Sequence, residues 1–288
     1  MASTSSWPRF FRPFEKGERT RAESITATDV GAIFGLDANG VQWSEKVEDK
    51  AYEARTGERR PEKPSMATFV KPWGERGEIA SALWFFRPDP HSPFKPGRET
   101  TIPEQHRARG RGWRHAQIEW LACSPDREVW SWPPEGPEAE QRLLYLIEMK
   151  TPIRKRPIRG TLPPGYYLQM QHQMCVCDVP YSYYVCWLPK SKFCPEGPYR
   201  SVLRVVRDKD FYNDVVVPIL KQVVDNSNIG PGLVPVFDLE FYRDDGPFAA
   251  ERDRVRDQIL EERMKSGINE IYWAQGKEAE TGCTLDVS

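Results

Sequence analysis

Residues 143–150, with the sequence LLYLIEMK, constrain the fold of this chain more than any other stretch. They are apolar, are bounded by polar residues, and are followed by Pro152, which cannot donate to a sheet ladder, so they predict a β-strand. Because side chains alternate along a strand, Glu148 and Lys150 share one face and Met149 lies on the other. The strand therefore presents an acid and an amine side by side.

A second acid, Asp126, follows another strand-like run at residues 117–123. An isolated Glu-x-Lys pair favours a simple salt bridge at a strand end, but pairing of the two predicted strands would bring Asp126 beside Glu148. Two carboxylates held close to a lysine form a site for a divalent cation with a proton-handling group attached. The order Pro125-Asp126, then Glu148-x-Lys150, resembles the signature after which the PD-(D/E)XK nucleases are named.

Length, charge and cysteine pattern exclude several classes of protein. The chain has 288 residues, which suits one large domain with an appendage, and a formal net charge of −1, which excludes a uniformly basic nucleic-acid binder. No apolar stretch is long enough to cross a bilayer and no secretory signal is evident, which predicts an intracellular protein. The cysteines show no C-x-x-C spacing, so we expect reduced buried thiols and neither a zinc nor an iron–sulfur site.

Two local basic clusters are the candidates for DNA contact, and one of them carries an aromatic side chain that can stack on a base. They are Arg107, Arg109, Arg111 and Trp113 in a glycine-containing segment, and Arg154, Lys155 and Arg156 after the strand 143–150. The second cluster follows the predicted cation site directly, where it would attract a phosphodiester. A solvated surface is the alternative interpretation of both clusters.

Two predicted helices in the first third of the chain carry further candidate side chains. Residues 25–35 predict a short helix whose first turn holds Thr26 and Thr28, which are either ordinary caps or phosphate ligands. Residues 72–86 predict a helix with Glu78 on an otherwise inward face. Because a lone buried carboxylate is costly, Glu78 needs a cation or an arginine as its partner.

A third predicted helix, residues 164–179, places Tyr166, Gln169 and Gln173 on one face. Glutamines in a core-facing row are unusual, since each amide must find hydrogen-bond partners when it is buried. A catalytic water and a phosphate oxygen would provide such partners.

The remaining pattern predicts an α/β protein. We expect helices at residues 44–55, 208–225 and 247–275, strands at 181–188 and 201–207, a long loop at 88–114 and a connector at 127–141. The expected domain organisation is a flexible lead (1–20), a catalytic domain (21–229) with a loop insertion at about 87–115, and a helical C-terminal extension with a tail (230–288).

Five motifs occur in the order that belongs to one family. They are ITATDVGAIFG at residues 25–35, WGERGE at 73–78, SPD at 124–126, IEMKTP at 147–152 and YYLQMQ at 166–171. With these motifs the chain resembles the YqaJ-like viral recombinase family, related to the phage lambda-type exonuclease, within the PD-(D/E)XK superfamily. The resemblance spans roughly residues 20 to 190 and implies a restriction-endonuclease-like core, with a central mixed β-sheet flanked by helices.

The resemblance also implies a function, a magnesium- or manganese-dependent deoxyribonuclease that resects linear duplex DNA from its 5′ end. The implied catalytic residues are Asp126, Glu148, Lys150 and Gln169, and the implied metal ligands are Glu78, Asp126, Glu148 and the Met149 carbonyl. Lys150 would orient or deprotonate the attacking water. Tyr166 would touch DNA, and Thr28 would lie near a terminal phosphate.

The same resemblance implies binding partners, and the residues leave two alternative functions open. The family implies double-stranded DNA ends as substrate, a single-strand annealing protein as a possible partner, and a ring-shaped trimer as a possible assembly. Two alternatives stay open from the residues alone: a structure-specific endonuclease on the same fold, and a non-catalytic DNA-binding protein in which Asp126, Glu148 and Lys150 form a buried salt-bridge cluster.

Overall fold

The structure is a computed structural model that describes residues 11–13, 21–61, 69–86, 104–108, 112–131, 142–153 and 156–276. The strands are β1 (Phe11–Pro13), β2 (Ile25–Thr26), β3 (Glu104–Ala108), β4 (Trp113–His115), β5 (Leu121–Cys123), β6 (Arg127–Ser131), β7 (Leu143–Lys150), β8 (Tyr181–Leu188), β9 (Tyr199–Val206) and β10 (Ile268–Gln275). The first helices are α1 (Ala27–Ile33), α2 (Trp43–Thr56), α3 (Lys71–Phe86) and α4 (Pro164–Cys177). Two later helical runs each contain a π-helical turn: α5 (Lys209–Phe211), Tyr212–Val216 and α6 (Val217–Asn226), then α7 (Pro247–Arg254), Val255–Ile259 and α8 (Leu260–Gly267).

The described strands form a six-stranded and a four-stranded sheet. The larger sheet has the order β10-β9-β8-β7-β6-β3, with β7 parallel to β8 and every other neighbouring pair antiparallel. The smaller sheet has the order β1-β4-β5-β2, with β2 parallel to β5. The predicted fold class, a mixed sheet flanked by helices in an α/β protein, is confirmed.

Strand β7 lies inside the larger sheet because its apolar side chains are buried on both faces. Leu146 belongs to the main hydrophobic core, to which α4 contributes Leu168. Ile147 points to the opposite face, in a second core where α3 contributes Phe85. A strand covered on both faces reads as a nearly continuous apolar run, and this explains why residues 143–150 were recognisable from sequence.

The predicted helices and strands around β7 are confirmed with small shifts of their ends. Gly35 lies shortly after the end of α1, and Gly57 directly follows α2; these glycines adopt positive φ angles of 67° and 76°. Such left-handed conformations cost glycine little, so glycine is the usual residue after a helix. Strands β8 and β9 continue the sheet as predicted.

The predicted strand partner of β7 was wrong. Residues 121–123 form β5, which pairs with β2 and β4 in the smaller sheet. The partner of β7 is β6, which lies in the segment predicted to be a connector. Its Glu128 is buried and accepts hydrogen bonds from the indole N–H groups of Trp113 (2.5 Å) and Trp130 (3.0 Å). These bonds let an acid-rich segment enter the core.

Two further predictions of secondary structure were wrong. Residues 104–108, predicted to be loop, form the edge strand β3 against β6. The C-terminal helix ends at Gly267, and residues 268–275 form β10, which pairs antiparallel with β9. The sequence INEIYWAQ is rich in β-branched and aromatic residues, and pairing with the open edge of β9 outweighs its helical spacing. The division of the chain at residue 229 stays a prediction.

The structure also describes the state of five cysteines and the character of the helices. The cysteines Cys123, Cys175, Cys177, Cys186 and Cys194 are buried free thiols. Within the described ranges, no helix has the length and apolar character needed to cross a membrane.

Candidate active site

The antiparallel register of β6 and β7 brings Asp126 to the acid and amine of β7. Arg127 lies opposite Ile147, so the residue before β6 comes level with the end of β7. The backbone N–H of Met149 donates to Asp126 Oδ2 over 2.8 Å, and both residues are buried. Asp126 therefore lies next to Glu148, as the sequence predicted, although the strand that carries it there is a different one.

Glu148 is held by donors on both of its carboxylate oxygens. Lys150 Nζ and Gln169 Nε2 donate to Oε1, the latter over 2.6 Å, and Gln173 Nε2 donates to Oε2 over 2.7 Å. The side chain of Glu148 is 1% exposed. These three donors occupy both oxygens and fix the orientation of the Glu148 carboxylate.

Lys150 closes the cluster on its solvent side. Its side chain is 24% exposed, and Nζ lies 5.0 Å from the centre of the Tyr166 ring, close enough for a cation–π contact. Burial alone lowers the pKa of Lys150, but the charges of Glu148 and Asp126 override it and raise that pKa above its ordinary value. Lys150 is therefore a cation at neutral pH.

Asp126 has the opposite balance of interactions. Burial and the charge of Glu148 raise the pKa of Asp126 to about 7 from an ordinary value of 3.8. The Lys150 charge lowers this pKa in part, and the charge of Glu78 raises it further. The ionised form of Asp126 is therefore disfavoured in this cluster, and a cation bound beside it would stabilise that form.

Glu78 lies near enough for its charge to raise the pKa of Asp126, because α3 packs closely on the chain that follows β7. A Cβ atom at Gly77 would lie 2.0 Å from Thr151 Oγ1, so no larger residue fits there without displacement of Thr151. One turn earlier, the indole N–H of Trp73 donates to the Thr151 carbonyl over 3.1 Å. The glycine that precedes Glu78 is the sequence signal for this contact, and it was not recognised in the sequence.

The donor chemistry of the cluster fits a hard divalent cation. The described residues contain no group of three or more His, Cys, Asp or Glu side chains close enough to hold a metal by themselves. Magnesium does not require such a group, because it is usually held by one or two carboxylates together with waters and substrate phosphates. The oxygens of Asp126, Glu148 and the Met149 carbonyl are of the kind that would hold such an ion.

The residues predicted to contact DNA are only partly brought to the cluster. Tyr166 lies beside Lys150. Thr28 is exposed in the first turn of α1, with Oγ1 3.4 Å from Thr26 Oγ1. Arg156 is exposed and forms a salt bridge of 3.0 Å with Glu196. These positions leave all three side chains accessible at least in part.

Trp113 is the clear correction among them. Its side chain is 2% exposed, packs in the main core and donates its indole N–H to Glu128. A buried indole whose donor is used inside the protein cannot stack on a base, so the predicted DNA contact of Trp113 was wrong. The glycines around it suggested a flexible surface segment, but β4 pairs with β5 and anchors the residue.

The other predicted basic contacts are not described by the structure. Arg109, Arg111, Arg154 and Lys155 lie outside the described residues. Arg107 is in β3, where the backbone alone is described.

One family model and several solved structures are similar to this chain. The model of the YqaJ-like viral recombinase domain matches residues 18–180, which is more than half of the chain. Among solved structures, an alkaline exonuclease (LHK-Exo) from Laribacter hongkongensis is similar with 17% identity, 88% of this chain and 100% of that chain covered, and a TM-score of 0.43. A phage related exonuclease from Haemophilus somnus 129PT is similar with 14% identity, coverage of 66% and 87%, and a TM-score of 0.36. No curated protein matches the chain.

Proposed function

The chain belongs to the family of YqaJ-like viral recombinase domains, and on that premise we propose that it is a metal-dependent exonuclease that resects linear duplex DNA. The observation that carries the proposal is the buried group of Asp126, Glu148 and Lys150, with the pKa of Asp126 raised to about 7 by burial and by its carboxylate neighbour. A buried salt bridge kept for stability alone would not include a second acid that raises this pKa.

Asp126, Glu148 and the Met149 carbonyl would hold the cation, with Glu78 near enough for its charge to be felt at Asp126. Magnesium, for which manganese often substitutes, would lower the pKa of bound water and polarise a phosphoryl oxygen. The role of the protein is to fix these oxygens on two paired strands and to exclude bulk water around Glu148, whose side chain is 1% exposed.

Lys150 acts as a donor and not as a base. Because its pKa is raised above the ordinary value, its ammonium group stays protonated and can donate to the attacking water or to a phosphate oxygen. There it offsets the negative charge that develops as the water oxygen bonds to phosphorus and the P–O3′ bond breaks. Gln169, 7% exposed and bonded to Glu148, is placed to orient the same water.

Substrate contacts and direction belong to the same proposal. Tyr166, Thr28 and Arg156 would contact the DNA strand, and Arg107, Arg109, Arg111, Arg154 and Lys155 remain candidates. We propose resection in the 5′ to 3′ direction inside the cell, with a single-strand annealing protein as partner and a homotrimer as the assembly, on the basis of the family alone.

The test is incubation of the protein with end-labelled linear duplex DNA, with and without a 5′ phosphate, in magnesium and in excess chelator. We expect early release of the 5′ label in magnesium and none in chelator. Early release of the 3′ label would reverse the proposed direction. Cleavage of a covalently closed circular duplex would identify an endonuclease, and absence of cleavage of every DNA would favour a binding protein.

A further inference from the structure

Two glutamines of α4 donate to opposite oxygens of the same carboxylate. Gln169 and Gln173 are four residues apart, so their side chains lie one turn apart on one face of the helix. Gln169 Nε2 lies 2.6 Å from Glu148 Oε1, and Gln173 Nε2 lies 2.7 Å from Oε2. Gln169 is 7% exposed and Gln173 only 1%, so Gln173 is on the inner side of Glu148, away from the opening.

The oxygens of Glu148 differ in how they are held. Oε1 accepts from Lys150 as well as from Gln169, and both of those groups face the side where substrate would arrive. Oε2 accepts from Gln173, which no substrate can reach. When Lys150 and Gln169 turn to a phosphate or a water, the bond from Gln173 keeps the carboxylate from rotating.

Packing of the core alone does not explain a glutamine at position 173. Its Oε1 atom is buried without a hydrogen-bond partner. Rotation of the amide by half a turn would place this oxygen against Glu148 Oε2, and two acceptors would then face each other. The observed orientation therefore leaves one polar atom of Gln173 unsatisfied and gives a donor to the Glu148 carboxylate.

Gln171, on the same helix, shows the structural alternative. It is fully buried, donates to the Val206 carbonyl over 2.8 Å and accepts from the backbone N–H of Asp208 over 2.8 Å. Both ends of this amide bind backbone groups and tie α4 to the end of β9. Gln171 therefore resembles Gln173 in burial and helix position but has no contact with the cluster.

We infer that Gln173 is a positioning residue, which fixes the carboxylate plane of Glu148 so that the cation-binding oxygens of the cluster keep one arrangement. The inference rests on the proposed function, because it concerns the same site. Groups that hydrogen-bond to a ligating carboxylate commonly change metal affinity or activity by about 10- to 100-fold when they are removed. We expect an effect of this size for Gln173.

The test compares Gln173→Met with its matched control Gln171→Met, which changes the same side chain in the same way. For both variants and the unaltered protein, calorimetry gives the Kd for Mn²⁺ without DNA, urea unfolding gives stability, and assays on linear duplex give kcat and KM. We expect Gln173→Met to weaken Mn²⁺ binding and to lower kcat by about 10- to 100-fold with KM and the unfolding midpoint maintained. We expect Gln171→Met to lower the unfolding midpoint and to leave the Mn²⁺ Kd unchanged.

Several outcomes would overturn the inference without affecting the proposed function. If the unaltered protein degrades DNA and Gln173→Met has the same Mn²⁺ Kd and kcat, Gln173 does not position Glu148. A Gln173→Met protein that loses stability as Gln171→Met does, with an unchanged Mn²⁺ Kd in its folded fraction, would make Gln173 structural. Gln173→Leu repeats the measurement if the methionine variant does not fold. An unaltered protein that binds Mn²⁺ but cleaves no DNA would reject the proposed function, and the calorimetry would still decide the role of Gln173.

Discussion

Two buried groups in this molecule each combine aspartate and lysine, and they differ in how well their charges are matched. Asp29 of α1 and Lys50 of α2 form a salt bridge of 2.8 Å with side chains 3% and 5% exposed. Lys50 also donates to the carbonyls of Arg21 and Ser24, the latter over 2.8 Å, so all three ammonium protons are used. Burial alone raises the pKa of Asp29, but Lys50 overrides it and lowers this pKa to about 2.

The group around Asp126 lacks this balance. It contains a second acid, Glu148, and its lysine, Lys150, is 24% exposed where Lys50 is 5% exposed. The pKa of Asp126 is raised to about 7, where that of Asp29 is lowered to about 2. A pair that is neutral, buried and fully hydrogen-bonded serves the fold, whereas a group in which two acids share one partly exposed lysine is suited to bind a cation and a substrate.

The largest difference between the two groups is expected when the lysine of each is replaced by alanine and nuclease activity is measured. We expect Lys150→Ala to reduce the rate of nucleotide release from linear duplex in magnesium by about 10³-fold or more, because it removes the donor that offsets developing charge. DNA affinity, measured by fluorescence anisotropy in chelator, should change little. Lys50→Ala is the control, and it should lower stability while the folded fraction keeps its rate. Retained nuclease activity in Lys150→Ala would contradict the assigned role.

The next largest effect is expected on the free energy of unfolding when the buried Asp29–Lys50 pair is broken. Asp29→Asn leaves the buried ammonium of Lys50 without its acid, and breaking a buried pair from one side typically costs about 3–5 kcal/mol. We expect the free energy of unfolding in urea to fall by that amount at pH 7, with Mn²⁺ affinity unchanged. A loss below about 1 kcal/mol would mean that the backbone carbonyls alone hold Lys50. The Asp29–Lys50 pair would then not be the stabilising pair with which the group around Asp126 is compared.

The sequence was informative where one local pattern determined the outcome. The apolar run of β7 with Glu148 and Lys150, and the glutamines of α4, could be assigned to elements because burial on both faces and helical spacing are local properties. The partner of β7 was not predicted, because its residue Glu128 is buried with help from the indole of Trp113, fifteen residues away, as well as that of Trp130 in the same strand.

The same limit explains the errors at the C-terminus and at α3. Residues 268–275 satisfy a helical stripe locally, and the open edge of β9 that recruits them as β10 is formed about sixty residues earlier in the chain. The position of Glu78 depends on contact between Gly77 and Thr151, and a lone glycine in a predicted helix does not reveal what approaches it. Long-range contacts of this kind carry no signal in a single local pattern.

A buried histidine predicts a further effect, which is a loss of stability in acid over a pH range in which the Asp29–Lys50 pair changes little. His172 is fully buried between the Ala122 carbonyl and the Tyr212 hydroxyl, and burial lowers its pKa to about 4 from 6.5. Between these values His172 binds a proton in the unfolded chain but not in the folded chain, so its contribution to stability falls as pH decreases from 6.5 to 4. The Asp29–Lys50 pair contributes little loss there, because its contribution is lost mainly as pH falls from 3.8 to about 2.

The measurement is the free energy of unfolding in urea for the unaltered protein and for His172→Gln between pH 7 and pH 4.5. The variant retains an amide that can donate to the Ala122 carbonyl but does not titrate. We expect the unaltered protein to lose up to about 3 kcal/mol relative to the variant over this range. Parallel pH profiles for the two proteins would show that His172 is not the buried neutral group described here.

The smallest effect has the opposite sign to that of Asp29→Asn. Because the folded-state pKa of Asp126 is raised, its contribution to stability is present below pH 3.8 and is lost as pH rises through about 7. Asp126→Asn removes the repulsion with Glu148 and keeps an oxygen for the Met149 N–H, so it should raise the free energy of unfolding at pH 8 by about 1 kcal/mol without metal. At pH 3.5 the gain should vanish.

Addition of Mn²⁺ at pH 8 should stabilise the unaltered protein and not the variant, since binding to the folded state alone raises apparent stability. If Asp126→Asn is instead as destabilising as Asp29→Asn, Asp126 serves the fold, and the difference between the two groups disappears.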